Sequence, residues 1–177
     1  MYRTATNFLK KFMSTSAIFK YGFNLSPMYR RTTARVTEIS DDLKYVKIKV
    51  PLSYKNKNYV GAIFGGSMFS ATDPIYMIQL VQILGDDYVV WDKAATINYK
   101  RPAKEHLFCE FIFTDEEIET IKTQVAKIHE MTIEKMTFLV NAKAEVFAEV
   151  IKTLYIAEKS FYKEKLKKRK QAKSSST

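Results

Sequence analysis

Gly65 and Gly66 open an almost chargeless stretch that runs to Leu84, and Asp73 is the single charged residue inside it. These residue types suit chemistry at a polarised oxygen. A glycine has no side chain, so its backbone N–H can approach a ligand closely. Near a helix start that N–H lacks an intrahelical partner and sits at the positive end of the dipole. A carbonyl held there, at Gly66 first and Gly65 beside it, is polarised. Asp73 adds a carboxylate that can take a proton from water or act as a nucleophile. Plainer explanations exist for each. The glycines also permit a turn or tight packing. Asp73 before Pro74 is a good helix start, with Asp73 as cap. Asn58 can orient water or a carbonyl, or close a turn. The Thr72 hydroxyl lies beside Asp73, or bonds within the helix.

The element that carries these residues is apolar on every side of a helical wheel between Gly65 and Leu84. Such a helix is buried all round or lies in lipid. Its length, about 20 residues, would permit a bilayer crossing. Two glycines, Pro74, Asp73, Gln79, Gln82 and several hydroxyls argue against lipid, so a helix enclosed by a curved sheet is expected. Ala34 to Ile39 and Tyr45 to Val50 predict a hairpin across Ser40-Asp41-Asp42. Val46, Ile48 and Val50 alternate with Tyr45, Lys47 and Lys49, the period of a half-buried strand. Further strands are predicted at Tyr88 to Arg101, His106 to Phe113, Thr132 to Val140 and Val146 to Ala157. Thr114 and Glu117 have capping-box spacing for a surface helix over 115–127. Lys152 is the exception on the apolar face of the last strand. Strands without alternating crossover helices imply an antiparallel sheet and an α+β fold.

The ends are basic. Residues 1–37 hold seven Lys/Arg and no acid, residues 159–177 hold eight and one Glu, and each contributes +7. The whole chain carries +10, which leaves −4 for residues 38–158. Specific nucleic-acid binding across a folded face is therefore not expected. Residues 1–20 predict a basic amphipathic helix that packs through Phe8, Leu9, Phe12 and Phe19. Their lack of acids also suits an organellar transit peptide, cleaved on import, as the alternative to a cytoplasmic protein. Lys159 to Lys173 predict a basic helical tail, whose Lys165–Lys170 run can meet acidic surfaces non-specifically. The division is thus residues 1–23, a body at 24–157 and a tail at 158–177. The single cysteine, Cys109, allows no internal disulfide and is read as core rather than nucleophile. His106 and His129 stand far apart with no Cys/His cluster, so no metal site is expected. Neither a Gly-x-Ser-x-Gly elbow nor a phosphate-binding glycine loop is present.

The run Asn58-Tyr59-Val60-Gly61-Ala62-Ile63-Phe64-Gly65-Gly66, with Asp73 seven after Gly66, resembles the Asn-x-x-Gly-x-x-His-Gly-Gly element of phenylacetyl-CoA-type thioesterases. Ala95 to Pro102, closing in Arg101-Pro102, is similar to that family's strand after the helix. Residues 24–157 resemble most an uncharacterised branch, a domain of unknown function within the hotdog superfamily. The resemblance implies a hotdog fold, an antiparallel sheet wrapped around a long central helix. It implies hydrolysis of an acyl-CoA-type thioester, with coenzyme A as part of the substrate and no cofactor. Asp73 would act from across a dimer interface, with Gly66 and Asn58 at the reacting carbonyl. Gly65, Phe64, Met68, Phe69 and Thr72 would contact substrate. An acyl tunnel would be lined by Met68, Phe69, Ile75, Tyr76 and aromatics of 108–113, and Lys100 and Arg101 would meet coenzyme A phosphates. Phe64 occupies the family's histidine position, so that histidine's role does not carry over.

Strand 88–101 would be a sheet edge, which invites a mate and suggests a homodimer or dimer of dimers. Asp92 in that apolar strand is expected to face the mate or to pair with Lys93 or Lys100. Two rivals to hydrolysis stand: a non-catalytic acyl-thioester or lipid binder, and a basic-tailed scaffold docking on membrane or nucleic acid.

Overall fold

The structure is a computed structural model that describes residues 13–174. Phe8, Leu9 and Phe12, expected to pack the amino-terminal helix, lie outside the described residues. Residues 1–12 of the expected helix likewise lie outside the described residues; helix α1 spans Thr15–Leu25 and is capped where Ser14 Oγ accepts the Ala17 N–H. Phe19 and Phe23 are its buried face and stack on each other, and Phe23 meets the edge of Tyr29. Tyr29 belongs to the short helix α2, Pro27–Arg31, and is fully buried with its hydroxyl donating to Ala71 O at 3.1 Å.

Strands β1 (Arg35–Ile39) and β2 (Tyr45–Val50) form the expected hairpin, and Val46, Ile48 and Val50 point into the core. Helices α3 (Gly65–Thr72) and α4 (Ile75–Leu84) follow. Then come β3 (Tyr88–Tyr99), β4 (Leu107–Ile112), helix α5 (Asp115–Ile128), β5 (Glu130–Val140), β6 (Val146–Glu158) and helix α6 (Lys159–Ser174). The six strands make one antiparallel sheet in the order β1-β2-β4-β5-β6-β3. β1 and β3 are its edges.

The expected central helix is interrupted. Pro74 has no N–H to donate back along the ladder, so α3 ends at Thr72 and α4 begins at Ile75. Asp73 nonetheless keeps helical angles, φ −54° and ψ −54°, and the two helices run on from each other. Nor is the rod buried on every side: Ser70, Asp73 and Gln82 are exposed. Its sheet-facing residues Met68, Ala71, Ile75, Tyr76 and Leu80 share the core with Phe111, Phe113, Leu139, Val150 and Leu154. The capping box at Thr114 and Glu117 is formed in both directions, at 3.1 and 2.9 Å, and Ile118, Ile121 and Val125 bury the inner face of α5. The basic tail folds as α6, and its first turns stay on the sheet: Phe161 stacks on His129, Tyr162 approaches Tyr155, and Lys165 bonds Glu130.

Candidate active site

The start of α3 is held from two sides before any side chain of the site is placed. Phe64 N donates to Asn56 O at 2.7 Å and Ile63 N to Ala103 O at 2.8 Å. Phe64 is the cap residue but offers no side-chain bond, because its side chain is a hydrocarbon ring. Ser67 N and Met68 N turn back to Phe64 O. The N–H groups of Gly65 and Gly66 are left without a partner among the described residues. Both glycines also sit close under exposed aromatic rings, which a side chain there would push aside. A Cβ on Gly65 would lie 2.8 Å from the Tyr99 ring, and one on Gly66 would lie 2.3 Å from the Phe64 ring. Close approach and free donors therefore coexist at one helix start.

Asp73 lies seven residues after Gly66, two helical turns on and about 10 Å along the axis at 1.5 Å per residue. Its side chain is 55% exposed. It closes α3 through its backbone, but its side chain caps no helix start: α4 has no side-chain cap, and one Asp73 carboxylate oxygen is bound instead by Lys152 Nζ at 2.8 Å. Lys152 comes from the centre of β6 and is fully buried. Its ammonium also meets Asp92 Oδ2 of β3 at 3.2 Å. The β3 register slips between Asp92 and Ala94, which leaves Lys93 as an extra residue beside this contact. Burial raises the Asp92 carboxyl above the ordinary carboxylate value, Lys152 pulls it down, and Asp73 pushes it up again. The other Asp92 oxygen is buried without a partner. Two acids from different elements thus share one buried cation, and one of them opens to solvent.

Asp92 therefore pairs neither with Lys93 nor with Lys100. Lys100 Nζ is 3.8 Å from Glu149, and the Arg101 guanidinium sits over the Phe147 ring, its carbon 5.6 Å from the centre. Asn58 closes a turn: its Oδ1 accepts from Val60 N and Ala62 N at 3.1 and 3.0 Å. Thr72 is fully buried and its hydroxyl donates to Phe69 O at 2.9 Å, inside the helix. Met68 is core, only 3% exposed, whereas Phe69 is half-buried and Phe64 is 58% exposed.

The expected tunnel is filled by its own lining. Ile75 is sealed, and Tyr76 packs edge-on against Phe111 and Phe113 while its hydroxyl donates to Met136 O. Two open surface depressions lie elsewhere, one on α5 at Glu116 and Thr120, the other beside α2 at Arg30, Arg31 and Lys55. Cys109 is enclosed beside Thr137, and burial pushes its thiol up to about 12, which disarms it as a nucleophile. Among the described residues no group of three or more His, Cys, Asp or Glu could hold a metal. No described helix is long and apolar enough to cross a membrane.

Lys152 is the residue that sequence reasoning left without a role. Its signal was visible, a lone cation on the apolar face of β6, but only the fold shows that Asp73 and Asp92 converge on it.

The family described as Domain of unknown function (DUF4442) matches residues 15–156. No curated protein matches the chain. Among solved structures, a Pseudomonas aeruginosa protein of unknown function, a probable thioesterase, superposes with a TM-score of 0.71 at 19% identity, over 80% of this chain and 95% of that one. A protein of unknown function from Chlorobaculum tepidum gives 0.66 at 14% identity, covering 82% and 98%. A thioesterase from Haemophilus influenzae gives 0.59 at 9% identity, covering 82% and 92%. At these identities the likeness shows the fold alone, and that fold is the hotdog.

Proposed function

The chain belongs to the DUF4442 family, and from that premise we propose that it hydrolyses acyl-CoA-type thioesters as a homodimer or a dimer of dimers. The observation that carries this reading is the pairing of free glycine amides with a solvent-open acid on the same face of one helix. A single carbonyl cannot span the two helical turns between Gly66 and Asp73, since attack needs the reacting atoms about 3 Å apart. The two functions therefore meet only if the amides of one copy face Asp73 of another. Strand β3 supports such a meeting: it pairs with β6 on one side, and no described strand covers the other. Trp91 and Tyr99, 41% and 50% exposed, lie along it.

In this scheme the Gly66 amide, with Gly65 beside it, holds the thioester oxygen. The Asp73 carboxylate takes a proton from water, and the water oxygen bonds to the carbonyl carbon. The oxyanion then collapses, the C–S bond breaks, and the departing thiolate takes the proton back from Asp73. Lys152 positions Asp73 by holding one of its oxygens and leaving the other free. Phe69 and Phe64 offer apolar surface at the helix start for the acyl chain.

A second reading, binding without turnover, is favoured by two features. Phe64 supplies no hydrogen bond where the resembled family has histidine, and Lys152 already occupies one oxygen of Asp73. Steady-state hydrolysis of acyl-CoA substrates across chain lengths, with Asp73→Asn alongside, separates the two. Hydrolysis predicts a loss of about a hundredfold or more in kcat for the variant, in the range for a general base. Unchanged activity in Asp73→Asn removes Asp73 from the chemistry, and tight binding of acyl-CoA without turnover in the wild type selects the binder.

A further inference from the structure

We propose that the depression between α2 and the loop before α3 binds the phosphates of a coenzyme A carrier. It is lined by Pro27, Arg30, Arg31, Thr33 and Lys55 and has a volume of about 360 Å³. Three of its five residues are cations, and none has an acidic partner among the described residues. Other described cations of the body also lack a carboxylate partner, but these three line one hollow together, whereas Lys44, Lys47, Lys135 and Lys152 each sit against a carboxylate. Two arginines and a lysine around one hollow suit a polyphosphate, because guanidinium groups bind phosphate oxygens in a bidentate fork and lysine adds a point charge. Arg30 and Arg31 also lie in the last turn of α2, where cations suit the helix dipole. A helix of five residues has little dipole to satisfy, and that role does not explain Lys55.

The wall of the hollow is built rather than incidental. Asn56 is 4% exposed and spends both amide protons inward, on Thr33 Oγ1 at 2.7 Å and Pro51 O at 2.8 Å. Its oxygen accepts from Ser53 N at 2.9 Å. This buried amide fastens the Lys55 loop to Thr33. Thr33 itself has φ +68°, a left-handed conformation that a β-branched residue rarely adopts and that its surroundings must hold. Because Thr33 Oγ1 accepts from Asn56, its own proton is left to donate to a ligand.

The hollow also lies within reach of the candidate active site. Lys55 is one step from Asn56, whose carbonyl binds Phe64 N, and Phe64 is two steps from Gly66. Three peptide steps and one paired backbone contact keep Lys55 and Gly66 within roughly 17 Å of each other. An extended pantetheine arm covers a distance of that order between its thioester and its phosphates. Lys100, part of the other basic pair near the site, has Glu149 at 3.8 Å, whereas among the described residues the Lys55 ammonium meets only the Tyr54 ring, as the Arg101 guanidinium meets only the Phe147 ring.

The substrate class, though not the phosphate contact, rests on the thioester reading above. Isothermal titration of the full chain with coenzyme A, at low and high salt, tests the site without requiring turnover. The wild type should bind coenzyme A more tightly than pantetheine and lose affinity as salt rises. Arg30→Gln/Arg31→Gln/Lys55→Gln should weaken coenzyme A binding by about tenfold or more, since charge-assisted bonds are lost. All three side chains are exposed, so circular dichroism should show the variant folded. The proposal is overturned if the wild type fails to bind coenzyme A or if the triple variant binds it as tightly. It is equally overturned if inorganic phosphate binds as strongly as coenzyme A, or if only a thioester on an acyl carrier protein is recognised. Affinity lost in the triple variant, with no hydrolysis by the wild type, sinks the enzyme reading alone. Acyl-CoA hydrolysis with an unchanged KM in the variant sinks the phosphate site alone.

Discussion

Gln79 and Lys152 are both fully buried between the helices and the sheet, one towards the β2–β4 end and the other towards β3. Gln79 spends its amide protons on backbone carbonyls, Leu43 O at 2.8 Å and Phe111 O at 3.4 Å, and its own oxygen is buried without a partner. The contact ties α4 to the hairpin turn, where Leu43 takes φ +61°, and leads nowhere further. Lys152 spends its protons on two carboxylates, and one of these, Asp73, stands more than half in solvent. Both side chains incur desolvation. Only at the Lys152 end does the polar group support an acid that a ligand can reach. A buried polar residue marks a candidate site when its partners lead outward, not because it is buried.

The largest effect should come from breaking the charged end. Lys152→Met leaves Asp92, half-buried with one oxygen fully enclosed, without its counter-charge, and urea unfolding should show a loss of about 2–4 kcal/mol, discounted from the range for a fully buried pair. Adding Asp92→Leu removes the stranded acid and should recover much of that loss, since apolar replacement of a buried ion pair is often tolerated. At the other end, Gln79→Leu deprives Leu43 O of its donor but also removes the unpartnered oxygen. A loss of about 1–2 kcal/mol is expected from the same measurement. Equal losses in the two single variants would erase the distinction between the ends. Asp73→Asn should cost less than about 1 kcal/mol in stability, because Asp73 is itself more than half exposed and Asp92 still balances the buried Lys152, while its effect on hydrolysis is large.

The sheet was legible because strand alternation and the capping box are local signals. Val46, Ile48 and Val50 alternate in the sequence and face the core in the structure, and Thr114 and Glu117 stand at the spacing the box requires. The break in the central helix was written in Pro74, but continuous apolarity across it concealed where α3 stops. The site was harder to read because its contacts are distant in sequence. Lys152 and Asp73 are 79 residues apart, and only the pairing of β6 with β3 and the docking of the helices bring them together. The tunnel expectation failed for a related reason. Tyr76 has the composition of a pocket residue, and whether it lines a cavity or fills one depends on Phe111 and Phe113 opposite. Asn56 carries no signal in the sequence, because its bonds to Thr33 and Pro51 follow no periodic pattern.

The subtlest test of the charged end is the pH dependence of Asp92. Its carboxyl is raised above the ordinary value, by burial first, with Lys152 opposing and Asp73 reinforcing. An acid with a raised folded pKa holds its proton more tightly in the native state than in the unfolded chain. The stability it contributes is therefore complete below the unfolded value, about 3.9 for an aspartate, and is lost as pH rises through the folded value. Asp92→Asn carries no such proton, while Asp73 still balances Lys152. Urea midpoints at a series of pH values from about 3.5 to 7 should show the variant gaining on the wild type as pH rises, by less than any change above. A gap that stays flat would mean that Lys152 already offsets the burial of Asp92 in full. The charged end would then be as self-contained as the Gln79 end, and the case for Lys152 as a support for Asp73 would weaken with it.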